Sequence, residues 1–279
     1  MTGFRALLAE LAIPRLTGSA GHARVRDALR REIAARGFVV MEHRFRARAV
    51  DAITLIGVRP RTRITTWLVA HSDSKGQPLS MLARLGAAAL VIVGALGALV
   101  ALPMSAAALA GLALLALNRV TDRSPGAVDN ATGLLTVIAT LDQLPADAPV
   151  GVIFPDAEEL GLLGARALVR ERAQLVGSTA VINFDGIDDT GPVRVLRHKA
   201  GPVGDRLARA LGTKARAFFP VIVDGRVLAE AAGECVTIMK GNWRTAAVVH
   251  RPSDRPERLT LEGVSQVAAA VVRVLSEQT

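Results

Sequence analysis

From Leu85 to Leu117 the chain runs 33 residues without a charged side chain, closed by Arg84 on one side and Arg119 on the other. As one helix this run would be about 50 Å long, well past a hydrocarbon core of about 30 Å. Pro103, followed by Met104 and Ser105, divides it into Leu85–Leu102 and Met104–Leu117. Two helices of about 27 and 21 Å joined by a turn are therefore predicted. The second is short for a span, so it must borrow flanking residues, thin the bilayer or dip without crossing. Gly94, Gly97, Ala98, Ala106, Ala110 and Gly111 would let the two helices approach closely in lipid. The competing reading is a hairpin buried in a soluble core or dimer interface, but helices there seldom lack a polar face over two such lengths. Arg84, Arg119 and Arg123 flank the hairpin while its turn is uncharged, which by the positive-inside rule puts the remainder of the chain in the cytoplasm. The first thirty residues carry Arg5, Glu10, Arg15, Arg24, Arg26 and Asp27, so no signal peptide is expected.

The rest of the chain reads as one globular domain over residues 1–279, interrupted by a membrane hairpin at 82–120. Its net charge of +9 is carried almost wholly by arginine, the lysines being Lys75, Lys199, Lys214 and Lys240. Aromatic residues make up 3% and tyrosine is absent, so the cations lack the stacking rings of a nucleic-acid binder. Solvated surface arginine is the first reading of the charge, and anionic lipid headgroups the next. The lone Cys235 excludes an internal disulfide framework and a cysteine-built zinc site.

Strands and helices alternate along this domain. Strands are predicted over Phe38–Phe45, Ala52–Val58, Thr62–Ala70, Val150–Phe154, Ala180–Phe184, Val193–Leu196 and Val236–Met239. Helices are predicted from Ser19, a capping residue, to Ala35, and over Asn130–Leu141, Leu160–Glu171, Asp205–Leu211 and Leu259–Leu275. The pattern gives an α/β fold, a mixed and mostly parallel central sheet flanked by helices, with its chemistry at the carboxyl ends of strands.

Those ends carry metal-competent side chains. Thr62–Ala70 leads into His71-Ser72-Asp73, and Val150–Phe154 into Pro155-Asp156-Ala157-Glu158-Glu159. Asp185 follows Val181–Phe184, His250 follows Val248-Val249, and Gly126-Ala127-Val128-Asp129-Asn130 precedes a helix. Taken singly, Asp129 could cap a helix, Glu158 and Glu159 could sit in a first turn, and either histidine could be a satisfied core residue. Those explanations leave five strand ends presenting acid or imidazole by coincidence. Two imidazoles and three carboxylates are what two zinc ions about 3.5–4 Å apart need if one carboxylate bridges them. Adjacent glutamates point in different directions, so one can ligate while the other handles the proton of an attacking water. An Asp two residues after a ligating His can fix its tautomer.

These motifs resemble those of metallopeptidase family twenty-eight, the di-zinc aminopeptidases of the aminopeptidase Y and aminopeptidase S type, whose relatives include glutaminyl cyclase. His71-x-Asp73, Gly126-Ala127-Val128-Asp129-Asn130, Glu158-Glu159-Leu160-Gly161, Asp185, and His250 with Asp254 downstream stand in the family's order. The resemblance implies that His71, Asp129 and Asp185 hold one zinc and that Glu159, His250 and the bridging Asp129 hold the other, with Co2+ or Mn2+ as substitutes. It further implies Glu158 as general base, Asp73 as the partner of His71, a cis bond between Asp129 and Asn130, and attack on a peptide's N-terminal residue by a metal-bridging hydroxide.

Two departures stand out. Where the family commonly has Ser-Asp-His, this chain has Val223-Asp224-Gly225. The gap from His71 to Asp129 is also longer than usual, by about the hairpin's length. Because His71 and Asp129 must share a metal, the chain must leave and re-enter on one side of a membrane, and a single span is excluded. The expected partners are therefore a peptide with a free N-terminus and a lipid bilayer, with no nucleic acid. Oligomeric state stays open. An amide hydrolase or glutaminyl-cyclase-like enzyme on the same site, and a non-catalytic membrane scaffold, are the alternatives.

Overall fold

The computed structural model describes residues 2–100 and 102–277. Ala101, inside the predicted helix Leu85–Leu102, lies outside the described residues. In chain order the elements are α1 (Thr2–Leu11), α2 (Ala20–Ala35), β1 (Val39–Ala47), β2 (Val50–Val58), β3 (Thr66–Val69), α3 (Met81–Ala98), α4 (Ser105–Ala116) and α5 (Thr132–Leu141). There follow β4 (Val150–Phe154), α6 (Leu163–Val176), β5 (Ala180–Ile187), β6 (Val193–Lys199), α7 (Pro202–Ala210), β7 (Ala215–Arg216), α8 (Asp224–Leu228), β8 (Glu234–Lys240), α9 (Trp243–Val248) and α10 (Glu262–Ser276).

Among the described residues the strands form one sheet in the order β1-β2-β4-β3-β5-β8-β6-β7. The four in its middle, β4, β3, β5 and β8, run parallel, while β1 and β2 on one side and β6 on the other join antiparallel. The fold is thus α/β with a mixed sheet. Strands sandwiched by helices on both faces are apolar on both faces, and every residue of β3 and β4 is buried. The side chains alternate between the two layers. Leu68, Val152, Ile182 and Val236 pack with α1, α2, α5, α7 and α10. Trp67, Val69, Ile153 and Val181 pack with α6 and α8.

Local signals explain most boundaries. Ser19 accepts a hydrogen bond from the His22 amide and starts α2, and Gly37 follows its end with φ +80°. β3 is shorter than the predicted Thr62–Ala70, because the chain is still turning at Arg61 and pairs only from Thr66. α5 begins at Thr132 rather than Asn130, and α6 at Leu163 rather than Leu160. The acids before both helices therefore stand in irregular turns and neither cap nor fill a first helical turn. α1, α9 and the short β7 are structure that the sequence pattern did not disclose.

Between β3 and β4 stand α3 and α4, antiparallel neighbours linked by a short turn. A Cβ on Gly94 would come within 2.3 Å of the Ala108 backbone, so the two backbones approach as only glycine permits. Ala87, Gly94 and Gly111 are the buried residues of this pair, while Leu85, Ile92, Leu96, Leu109 and Leu117 are at least 60% exposed. α3 is long and apolar enough to cross a membrane; α4, at 12 residues, is shorter than a span. The base of the pair is tied to the domain. Gly76 and Thr121 exchange backbone hydrogen bonds of 2.6 and 2.8 Å, and the Leu79 amide donates to Asn118 at 3.1 Å.

Candidate metal centre

The carboxyl ends of β3, β4 and β5 meet at one point, and buried polar residues hold their loops there. The Ser72 amide donates to the Pro155 carbonyl at 2.8 Å, joining the loop after β3 to the loop after β4. Asp73 joins them again, its two oxygens accepting from the amides of Glu158 and Glu159 at 3.1 Å each. Asn130 bonds the Phe184 carbonyl and the Gly186 amide, placing the Asp129 turn beside Asp185 on β5. Gly126 starts that turn with φ +58°, where a Cβ would lie 2.3 Å from the Asp129 carbonyl oxygen. The peptide bond between Asp129 and Asn130 is cis. Asp254 then accepts from the amides of Val128 and Asp129 at 2.9 and 3.2 Å.

The predicted ligands converge as two groups. His71, Glu158 and Asp185 offer atoms within 4.8 Å of one another, and so do Asp129, Glu159 and His250. Asp129 links the groups, with one oxygen 3.1 Å from His71 Nε2 and the other 3.0 Å from His250 Nε2. His250 Nε2 is also 3.1 Å from Glu159 Oε1. Thus the six predicted side chains gather, although Glu158, predicted as base, stands in one trio and Asp129 reaches His71 from the other.

So many buried acids strain one another's charge. Burial, then the neighbouring Glu159 and Asp185, pushes Glu158 well above the usual carboxylate range, although His71 opposes this. Burial likewise lifts Asp185 to about 7 and Asp224 to about 8. Asp129 goes the other way: burial would raise it, but hydrogen bonds with His250 and His71 hold it well below its ordinary value. Four buried carboxylates (Asp73, Glu158, Glu159 and Asp185) and the partly buried Asp129 face few cations, chiefly the buried Arg15 and the partly buried Lys75, whose Nζ is 2.8 Å from Glu159 Oε2. An oxygen- and imidazole-lined pocket with that charge fits divalent cations.

The two imidazoles are oriented differently. His71 Nδ1 lies 3.1 Å from the Asp73 carbonyl, which can only accept, so Nδ1 carries a proton and Nε2 can present its lone pair to a metal. His250 Nδ1 instead receives the Arg84 guanidinium at 2.7 Å. A guanidinium only donates, so ligation through His250 Nε2, which puts the proton on Nδ1, requires Arg84 to turn away.

The family model of Peptidase family M28 matches residues 56–275. The chain belongs to peptidase family M28. Among solved structures it is similar to the LapA aminopeptidase of Legionella pneumophila, with TM-score 0.68, 14% identity, and coverage of 99% of this chain and 71% of that one. Porphyromonas gingivalis glutaminyl cyclase gives TM-score 0.68 at 16% identity over 100% and 98%. BSAP, a zinc aminopeptidase from Bacillus subtilis, gives 0.55 at 18% over 83% and 51%. At such identities these likenesses show the fold. No curated protein sequence matches the chain significantly.

In this M28 chain, sequence reasoning missed several residues that build the centre. Arg15 is wholly buried and donates to the carbonyls of Ser72, Pro125 and Gly126, pinning three segments around the acids. Lys75 carried a readable signal, a rare lysine in an arginine-rich chain two residues after His71-x-Asp73. Asp224, in the departure Val223-Asp224-Gly225, is buried, and neither carboxyl oxygen has a hydrogen-bond partner among the described residues. Arg84 was legible only as a flank of the apolar run.

Proposed function

We propose that this M28 chain is a membrane-anchored two-zinc metallopeptidase that removes N-terminal residues from peptides. The observation that carries the reading is the pair of ligand trios linked by Asp129, one oxygen toward each histidine. His71 and Asp185 with Asp129 would hold one zinc, and Glu159 and His250 with Asp129 the other. When bound, the zinc pair supplies Lewis acidity to polarise the scissile carbonyl and acidify water. Glu158 takes the proton of the attacking water and returns it to the leaving amine. Asp73 keeps Glu158 and Glu159 in register through their two amides and fixes His71 through its own carbonyl. Arg15 and Asp254 hold the backbone that leads into Asp129.

The exposed apolar faces of α3 and α4 support anchoring, since surfaces of that kind are stable in lipid and not in water. Arg84, Arg119 and Arg123 at the base favour a cytoplasmic domain. The whole of residues 1–279 would then be one catalytic domain with the hairpin inserted.

A second reading, amide chemistry of the glutaminyl-cyclase type, draws support from length: this chain spans 98% of the Porphyromonas cyclase but 51–71% of the two aminopeptidases. An assay on detergent-purified protein separates the two. Aminoacyl anilides should be hydrolysed, glutaminyl peptides should not cyclise, chelation should abolish turnover, and zinc add-back to two ions per chain should restore it. Cyclisation with one zinc would overturn the aminopeptidase reading. Glu158→Ala should lower kcat by about 10²–10⁴ with both metals retained; surviving turnover would remove Glu158 from the base role.

A further inference from the structure

The centre sits unusually close to the apolar pair. Arg84 touches His250 directly at 2.7 Å, and the next residue, Leu85, opens the uncharged run. A second strut runs beside it, where the Gln77 amide donates to the His250 carbonyl at 2.7 Å. A single arginine side chain therefore separates a predicted metal ligand from the start of the apolar run at Leu85. A headgroup layer is itself only about 5–7 Å deep on each side of a bilayer.

The same edge carries other interfacial side chains. α9, which leads into His250, packs against α3 and presents Trp243, 65% exposed, with the Arg244 guanidinium 5.3 Å from its ring. Arg194 donates to the Gly241 carbonyl at 2.8 Å, two residues from Trp243, and lies 5.0 Å from the Phe219 ring, beside the 79% exposed Phe218. Trp beside arginine at the end of an apolar helix is the composition of a membrane–water boundary. Arg119 and Arg123, both exposed, stand at the same base, where the chain returns from α4.

We infer that the centre lies at the headgroup level and that its substrates are peptides held at the lipid surface, with free amino termini reaching only a short distance from the bilayer. This rests on the membrane-anchored peptidase reading above and narrows its substrate class. A peptide confined to the same surface as the centre arrives by diffusion in two dimensions and stays at high effective concentration. A peptide dissolved in bulk water has neither advantage.

The test uses the zinc-loaded full chain reconstituted into vesicles of phosphatidylcholine and phosphatidylglycerol. One substrate is a short peptide with a free amino terminus and a palmitoylated lysine at its far end; the other is the same peptide without the acyl chain. Acylated peptide in the enzyme's own vesicles should be cleaved with kcat/KM at least tenfold above the soluble peptide. The advantage should vanish when acylated peptide and enzyme occupy separate vesicles. Equal kcat/KM for both peptides would overturn the inference while leaving the peptidase reading standing. Cleavage of neither would overturn both. Enzyme that fails to float with vesicles would remove the anchor on which the inference depends.

Discussion

The candidate metal centre and the helix pair beside it are specified by opposite means. In the centre His71, Asp73, Asp129, Glu159 and His250 are tied by directional contacts, and a single carboxylate, Asp73, serves two amides and lies beside a third group, His71. In α3 and α4 the contacts are between small residues and backbone, with leucine and valine turned outward. Polar networks fix position to tenths of an ångström but fail when one member is lost. Apolar pairs tolerate side-chain exchange and respond instead to introduced charge. The regions meet at Gly76–Thr121, Gln77–His250 and Arg84–His250, and the comparison can be tested on either side of that seam.

The largest effect is expected at the shared carboxylate. Asp129→Ala should release zinc and lower kcat/KM by more than about 10⁴-fold, beyond what one acid–base group contributes. A metal-replete, active variant, by elemental analysis and assay, would break the bridging assignment. On the other side, Ile92→Arg puts a charge among outward apolar residues near the middle of α3. At about 2.5–3.5 kcal/mol it should reduce vesicle partition roughly 100-fold in flotation while zinc content stays at the wild-type level. Lost zinc would mean that the two regions are not separable.

At the seam itself, Arg84→Gln replaces an obligate donor facing His250 Nδ1 with a group that can accept its proton. Zinc affinity should rise about tenfold by chelator competition. Unchanged affinity would show that Arg84 does not oppose loading. The smallest effect lies outside the predicted ligand set. His198, bonded to Thr237 at 2.9 Å, is lowered to about 4 by burial and by Arg226. Between about pH 6.5 and 4 the unfolded chain binds a proton that the folded chain refuses, so stability falls as pH drops through that window. His198→Gln should flatten this decline in denaturant titrations, and an unaltered slope would place the linkage elsewhere.

Much of this was legible in the sequence, for stated reasons. β4 read correctly because a strand buried on both faces is a short apolar run, and α2 because Ser19 and Gly37 mark its ends. The side chains that cluster were legible because successive segments end in imidazole or acid, at His71, Asp129, Glu158, Glu159, Asp185 and His250. What escaped were residues acting through tertiary geometry. Nothing local tells that Arg15 spans three loops or that Asp224 is buried without a partner. α9 and β7 are too short for periodicity to register, and Arg84 looked like a mere boundary charge until folding set it against His250.

The reciprocal bonds between Gly76 and Thr121 close off the inserted segment as a clasp closes a necklace. Paired residues of an antiparallel rung stand about 5.5 Å apart at Cα, a gap that a tight turn of a few residues can cover. Replacing the intervening chain with such a turn should yield a body that stays in solution without detergent. On the anchored-peptidase reading proposed above, it should still cleave soluble peptides and lose any preference for acylated ones.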